Sequence, residues 1–242
     1  MDTLLDKFIK EKLKSYIEPE RKGTAKGDPI GLSRVKYEAS LFMLSRITYK
    51  ELAEQLKISH GLVLKWRTEA LFKSTLEKHM VEFGILFGKR VLEIASTIDD
   101  FTKPENYSNL DLNEFSGQDF SQDLFTLIWA ELELLRDKLI EEFNLHILPV
   151  VLDVFATFAY THYFVRLRDQ EKADKLMRDA YKLFHTTTVS IMSERITKYV
   201  KNLLKKEPFL DDDRQNALLA LDSLEHYFKS HVPRWELVKN IE

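Results

Sequence analysis

The chain has 242 residues and a formal net charge of −3; 44% hydrophobic and 31% charged residues with only 7 Gly and 6 Pro exclude a low-complexity or disordered chain and allow a sizeable core. It contains no cysteine, which excludes a disulfide scaffold, a thiolate-held iron–sulfur cluster, a cysteine zinc finger and a cysteine nucleophile. Cut after Lys78, the first part carries a net +5 and the remainder a net −8, so the N-terminal part suits a polyanion and the rest suits self-association or another ligand.

Leu4, Leu5, Phe8, Ile9, Leu13 and Ile17 recur at helical spacing, with Lys7, Lys10, Lys12 and Lys14 mostly on the other face. This predicts an amphipathic helix that stops at Glu18-Pro19. Its charges interrupt any apolar core of the secretory type, which predicts a cytoplasmic protein. The following EPERKGTAKGDPIG cannot hold a periodic face, so residues 1–31 read as a helix and a linker. Ser33 caps a helix through Phe42 and Leu44, Ile47-Thr48 opens a short one ending near Leu56, and Ser59 caps a third. That third pattern runs through Trp66, Leu71, Leu76, Met80 and Phe83 toward Ile98, with Gly84 and Gly88 on one face suited to close helix packing. Residues 32–98 thus form a helix-turn-helix domain with a long following helix.

From 99 to 120 the periodicity is lost in an acidic loop with one aromatic-rich turn able to pack down. Residues 121–242 read as a helical bundle with helices over about 121–143, from Pro149 in a first turn to Arg168, over 170–186 and 189–206, and after Pro208 behind the Asp211-Asp212-Asp213 run. The stretch from Phe143 to Val165 is long enough to span a bilayer, but Asp153 near its centre, with His146 and His162, reads it as a buried helix and not a membrane contact. No segment alternates with period two. The expected fold class is all-α, an N-terminal helix-turn-helix domain followed by a larger helical-bundle domain that dimerises or senses a ligand.

The segment ITYKELAEQLKISHGLVLKWRT, 47–68, has the parts a helix-turn-helix needs. Leu52 and Leu56 are buried positions of the first helix, Ala53 is the small crossing residue, Ile58 packs in the turn, and Val63 and Trp66 hold the second helix down. His60, Gly61, Leu64, Lys65, Arg67 and Thr68 are then left to project as base readers. Arg and Lys donate to guanine O6 and N7, Gly61 lets the backbone approach, and Leu64 meets a thymine methyl. Arg46, Lys50, Lys57 and Ser59 fall where phosphates would be met. The segment resembles the helix-turn-helix superfamily of DNA-binding proteins, with Lys57 at a turn position most often Gly there. The layout is similar to that of TetR-type transcriptional regulators, whose recognition helix begins much like Ile58-Ser59-His60-Gly61. It departs from them at Leu64, Arg67 and Ala70 and in the extra residues before Leu32. The Ser59, Val63, Trp66 pattern also resembles terminase small subunits and transposase DNA-binding modules.

These resemblances imply a sequence-specific transcriptional regulator of double-stranded DNA. The alternative from the same residues is a helical adaptor or assembly subunit of phage or mobile-element type, using the hairpin for protein interaction. Seven histidines form no HExxH and no paired Glu-x-x-His, and no phosphate loop, nucleophile elbow or Ser/His/Asp arrangement is present, so neither a metal, a cofactor nor an enzyme is expected. His162, with Tyr160 and Tyr163, reads as a packed core histidine. Two half-sites call for a homodimer. Apolar stripes at Ile196, Tyr199, Val200, Leu203 and Leu204, and at Leu218, Leu221, Leu224, Tyr227 and Phe228, are the expected interface. A small-molecule or protein effector is expected at the C-terminal domain.

Overall fold

A computed structural model describes residues 3–17, 31–98, 111–116, 119–205 and 211–230. Among them the protein is all-α, with nine helices, two single-turn 3-10 segments, one isolated β-bridge and no strand. The helices are α1 (Leu4–Ser15), α2 (Arg34–Phe42), α3 (Tyr49–Gln55), α4 (His60–Trp66), α5 (Ala70–Ala95), α6 (Gln122–Glu141), α7 (Leu148–Leu167), α8 (Gln170–Leu204) and α9 (Asp211–Ser230). Two compact units result, Met1–Phe87 with Asn113–Trp129, and Gly88–Leu112 with Ala130–Glu242. Helix α1 belongs with the hairpin, and α5 and α6 each contribute to both units.

In the first unit a reciprocal cap starts α1: the Asp6 amide donates to Thr3 Oγ1, and the Thr3 amide donates to the Asp6 carboxylate, both at 3.1 Å. Leu4, Leu5, Phe8 and Ile9 are buried, while Ile17, expected on that face, is 86% exposed because the helix has ended. Phe8 meets Phe83 edge-on at 5.3 Å, Phe83 packs on Phe87 and Phe120, and Phe87 meets Phe115 at 4.9 Å. Phe83, Phe87, Phe115 and Phe120 are all fully buried, each contributing about 2 kcal/mol by the area it removes from water. The Arg46 amide donates to the Asp119 carbonyl at 2.7 Å and the Ser121 amide to the Leu44 carbonyl at 2.8 Å, around the Ser45–Phe120 bridge. Leu112, Phe115 and Phe120 of the expected acidic loop are thus buried, as its aromatic-rich turn was expected to be. Its residues 99–110 and 117–118 lie outside the described residues.

The third helix expected to run from Ser59 toward Ile98 is instead two. After Trp66 the Thr68 and Glu69 amides turn to carbonyls three residues back, at 3.0 Å each, and Thr68 Oγ1 donates to the Lys65 carbonyl at 2.7 Å. The chain then restarts at Ala70 as α5. Gly88 does not mark a close helix contact, since nothing lies within 4 Å of where a Cβ would stand.

In the second unit α7 begins with Pro149 in its first turn, as expected, and 13 of its 20 residues are buried, Asp153 and His162 among them. By length and composition α7 could cross a membrane, and 72% of its most apolar window is buried within the protein. It ends at Arg168 in the left-handed conformation, and Asp169 caps α8 by accepting from the Lys172 amide at 3.1 Å. Where two helices were expected over 170–206, α8 is one helix of 35 residues. The Thr186–Thr188 run does not break it, because the Thr187 and Thr188 hydroxyls donate to the Leu183 and Phe184 carbonyls one turn back. Phe155 of α7 stacks on Phe184 of α8 at 4.3 Å, and the buried Arg136 guanidinium of α6 lies over the same Phe184 ring at 4.9 Å.

Candidate nucleic-acid interface

The α3–α4 hairpin is closed at every junction by its own side chains and amides. Thr48 caps α3: the Glu51 amide donates to Thr48 Oγ1 at 3.2 Å and the Thr48 amide to the Glu51 carboxylate at 2.8 Å. The Thr48 hydroxyl first, and the Thr48 amide next, hold the Glu51 carboxyl below the usual glutamate range. At the other end Lys57 takes φ 54°, the left-handed conformation that favours Gly. There the Ile58 amide donates to the Ala53 carbonyl at 3.0 Å and the Lys57 amide to the Glu54 carbonyl at 3.2 Å. This is the paired bonding that terminates a helix through a left-handed residue. Ser59 then caps α4, accepting from the Leu62 amide at 3.2 Å.

Leu52, Ala53, Val63 and Trp66 are buried in one cluster with Leu32, Ala39 and Phe72, and Leu56 and Ile58 pack against it half-buried. A support helix ties on from the side. The Lys36 ammonium of α2 sits over the Trp66 ring at 5.6 Å and pairs with Glu69 in the turn behind α4.

The exposed face carries His60, Gly61, Leu64 and Lys65 on α4 itself. With two turns, about 10 Å long, α4 matches the width of a major groove. Arg67 and Thr68 are exposed but follow the helix. Arg67 is the C-terminal cap, its guanidinium lying over the Tyr49 ring of α3 at 4.6 Å, and the Thr68 hydroxyl is bonded to Lys65. Lys50 stands exposed in the first turn of α3, Lys57 and Ser59 in the connecting turn, and Arg46 beside the Asp119 segment that its amide joins.

Sequence reasoning missed three participants. Leu62, 36% exposed, lies on a different side of α4 from Leu64 at 41%, and its position just before the buried Val63 would have placed it outward. Tyr49 carries Arg67, and Glu69 holds Lys36; no local pattern signals either pairing. Two exposed acids, Glu51 and Glu54, share α3 with Lys50.

The expected interface residues separate. Ile196 and Leu203 are buried in their own unit, and Tyr199 is half-buried with its ring 4.9 Å from that of Phe143, so none of the three forms a free apolar stripe. Leu221 is 45% exposed. The side chains of Leu224 and Phe228 lie outside those described. Helix α9 turns its small residues inward: Ala217 and Ala220 are buried, while Leu218, Leu219 and Leu221 face out. No protein-family model, curated protein or solved structure matches the chain.

Proposed function

We propose that the chain is a sequence-specific regulator of double-stranded DNA, binding as a homodimer with α4 in the major groove. The observation that carries this reading is the tight α3–α4 turn at Lys57, with Val63 and Trp66 locked beneath and His60, Gly61, Leu64 and Lys65 free above. Lys65 and Arg67 are the base donors, Arg67 acting from the cap position where Tyr49 supports it, and Arg46, Lys50, Lys57 and Ser59 meet phosphates. The outward leucines of α9, Leu218 and Leu221, offer the surface for a second copy.

Fluorescence anisotropy against DNA from upstream of the chain's own coding sequence tests this. Lys65→Ala and Arg67→Ala should each cost about 1–3 kcal/mol on the preferred sequence, and Lys50→Ala should weaken all sequences alike and flatten the salt dependence. Absence of binding at low salt overturns the reading, as does binding indifferent to Lys65 and Arg67. Light scattering on Leu218→Glu with Leu221→Glu tests the dimer, since both positions are exposed and the monomer should stay folded.

A second reading, a helical adaptor or assembly subunit, is favoured by Leu64 standing exposed on the same side of α4 as His60, Gly61 and Lys65. A stable protein complex that survives nuclease and is lost in Leu64→Ser selects it.

A further inference from the structure

A cleft of about 310 Å³ opens in the first unit between α1, α2 and α5, at the lower end of the range for small-molecule sites. His79 of α5 lies at its floor, 2% exposed, with neither ring nitrogen in a hydrogen bond among the described residues. The Glu82 carboxylate is 3.8 Å from Nδ1, out of hydrogen-bond reach, and its nearer partner is Lys12 at 2.7 Å. Burial first, and Lys12 and Lys78 further, push His79 down to about 4 against the upward pull of Glu82. The ring is therefore neutral near pH 7, with one N–H and one lone pair. A carboxylate on the Nδ1 side favours the proton there. The lone pair at Nε2 is left buried and unmatched, an arrangement that costs free energy until a donor reaches it.

The rest of the cleft sets what that donor is attached to. Tyr37 stands edge-on to His79 at 4.9 Å and stacks on Tyr16 at 4.3 Å, giving an aromatic wall, and Leu71 gives an apolar one. At the rim, Lys78 is 71% exposed along its side chain and 3.9 Å from Glu82. Lys12 already neutralises Glu82, which leaves one positive charge at the mouth.

We propose that this cleft binds a small phenolic carboxylate, its hydroxyl donating to Nε2 of His79, its ring between Leu71 and the Tyr16–Tyr37 stack, and its carboxylate on Lys78. A benzoate brings no donor to the floor, and a phenol brings no anion to the rim. The site does not depend on the DNA-binding reading.

The probes are 4-hydroxybenzoate, benzoate and phenol, titrated into the full chain by calorimetry and by imidazole 15N spectra. The expected result is 4-hydroxybenzoate binding at least about tenfold tighter than either control, the ratio one well-made hydrogen bond or ion pair supplies, with a shift at His79 Nε2. Lys78→Ala should bring 4-hydroxybenzoate to the level of phenol and leave phenol unchanged, and Leu71→Trp, at a rim position, should close the cleft to all three without unfolding the protein. Equal affinities for the three probes overturn the proposal. So does an unmoved His79 resonance at about 10 mM probe, or binding that persists in folded Leu71→Trp.

Discussion

The amide of Ile58 donates to the carbonyl of Ala53, 3.0 Å away, and so ends α3 one residue after Lys57 has entered the left-handed region. A side chain there is strained by about 1 kcal/mol relative to Gly. Lys57→Gly should therefore raise stability by up to about 1 kcal/mol in urea unfolding, less the entropy Gly adds to the unfolded chain. Lys57→Val should lower it by more than Gly raises it. If Lys57 also meets a phosphate, the Gly variant will be more stable and bind DNA less tightly, a combination that a purely structural lysine would not give.

Capping and DNA contact can be separated at Ser59. Ser59→Ala should cost about 1 kcal/mol of stability through the lost acceptor for the Leu62 amide. Ser59→Asp keeps the cap and suits the helix N-terminus, but puts a negative charge where a phosphate would sit. Thermal unfolding near the parent value together with weakened DNA binding is the expected result. A Ser59→Asp variant that binds as tightly as the parent would remove Ser59 from the phosphate contacts.

Arg67 owes its position to Tyr49, 4.6 Å from guanidinium to ring centre. Tyr49→Ala should weaken DNA binding nearly as much as Arg67→Ala, and the double variant should lose little more. A double-mutant cycle measured by anisotropy checks this, with a coupling energy of about 1 kcal/mol expected. Additive losses would mean that Arg67 is held by something else.

His79 links stability to pH. Its folded-state value, about 4, lies below the unfolded 6.5, so between these the unfolded chain binds more protons and stability rises with pH. The full contribution, about 3 kcal/mol, is present above pH 6.5 and is lost as pH falls toward 4. Glu82 adds to the same slope at lower pH: burial raises it, but the Lys12 ammonium, with Lys78 and His79, holds it below the usual value. Lys12, Lys78, Glu82 and the Tyr37 ring are the groups that face the imidazole. His79→Leu should flatten the melting temperature between pH 4 and 6.5. An unchanged slope would place the pH dependence elsewhere.

What the sequence made legible was local. Thr48, Ser59 and Pro149 mark helix starts by chemistry that acts within one turn, and the spacing of Leu52, Ala53, Val63 and Trp66 identified the buried face of the hairpin. The break after Trp66 was not legible, since no Gly or Pro stands there and the turn is made by backbone amides and the Thr68 hydroxyl. The continuity of α8 was not legible either, because three consecutive threonines interrupt the apolar periodicity between 186 and 189, while the Thr187 and Thr188 hydroxyls bond to carbonyls one turn back on the same helix. Nor could periodicity bring Phe115 and Phe120 to Phe83 and Phe87, because that pairing is set by burial across a long stretch of chain. Along the described side chains of α9, Asp211–Asp222, alanines face in and leucines out, against the rule that larger apolar side chains face the core.

Because Phe115 and Phe120 complete the core around Phe83 and Phe87, the hairpin unit is assembled from two pieces of chain made at different times. At roughly 5–20 residues per second of synthesis, α4 and the first turns of α5 leave the ribosome seconds before the segment that seals Phe83 and Phe87. During that interval Phe83 has Phe8 and Phe87 beside it, but the ring faces that Phe115 and Phe120 later cover stay open to water. A fragment ended at residue 98 stays in that unfinished condition permanently, and a piece cut for isolated DNA-binding work has to carry the residues through Trp129.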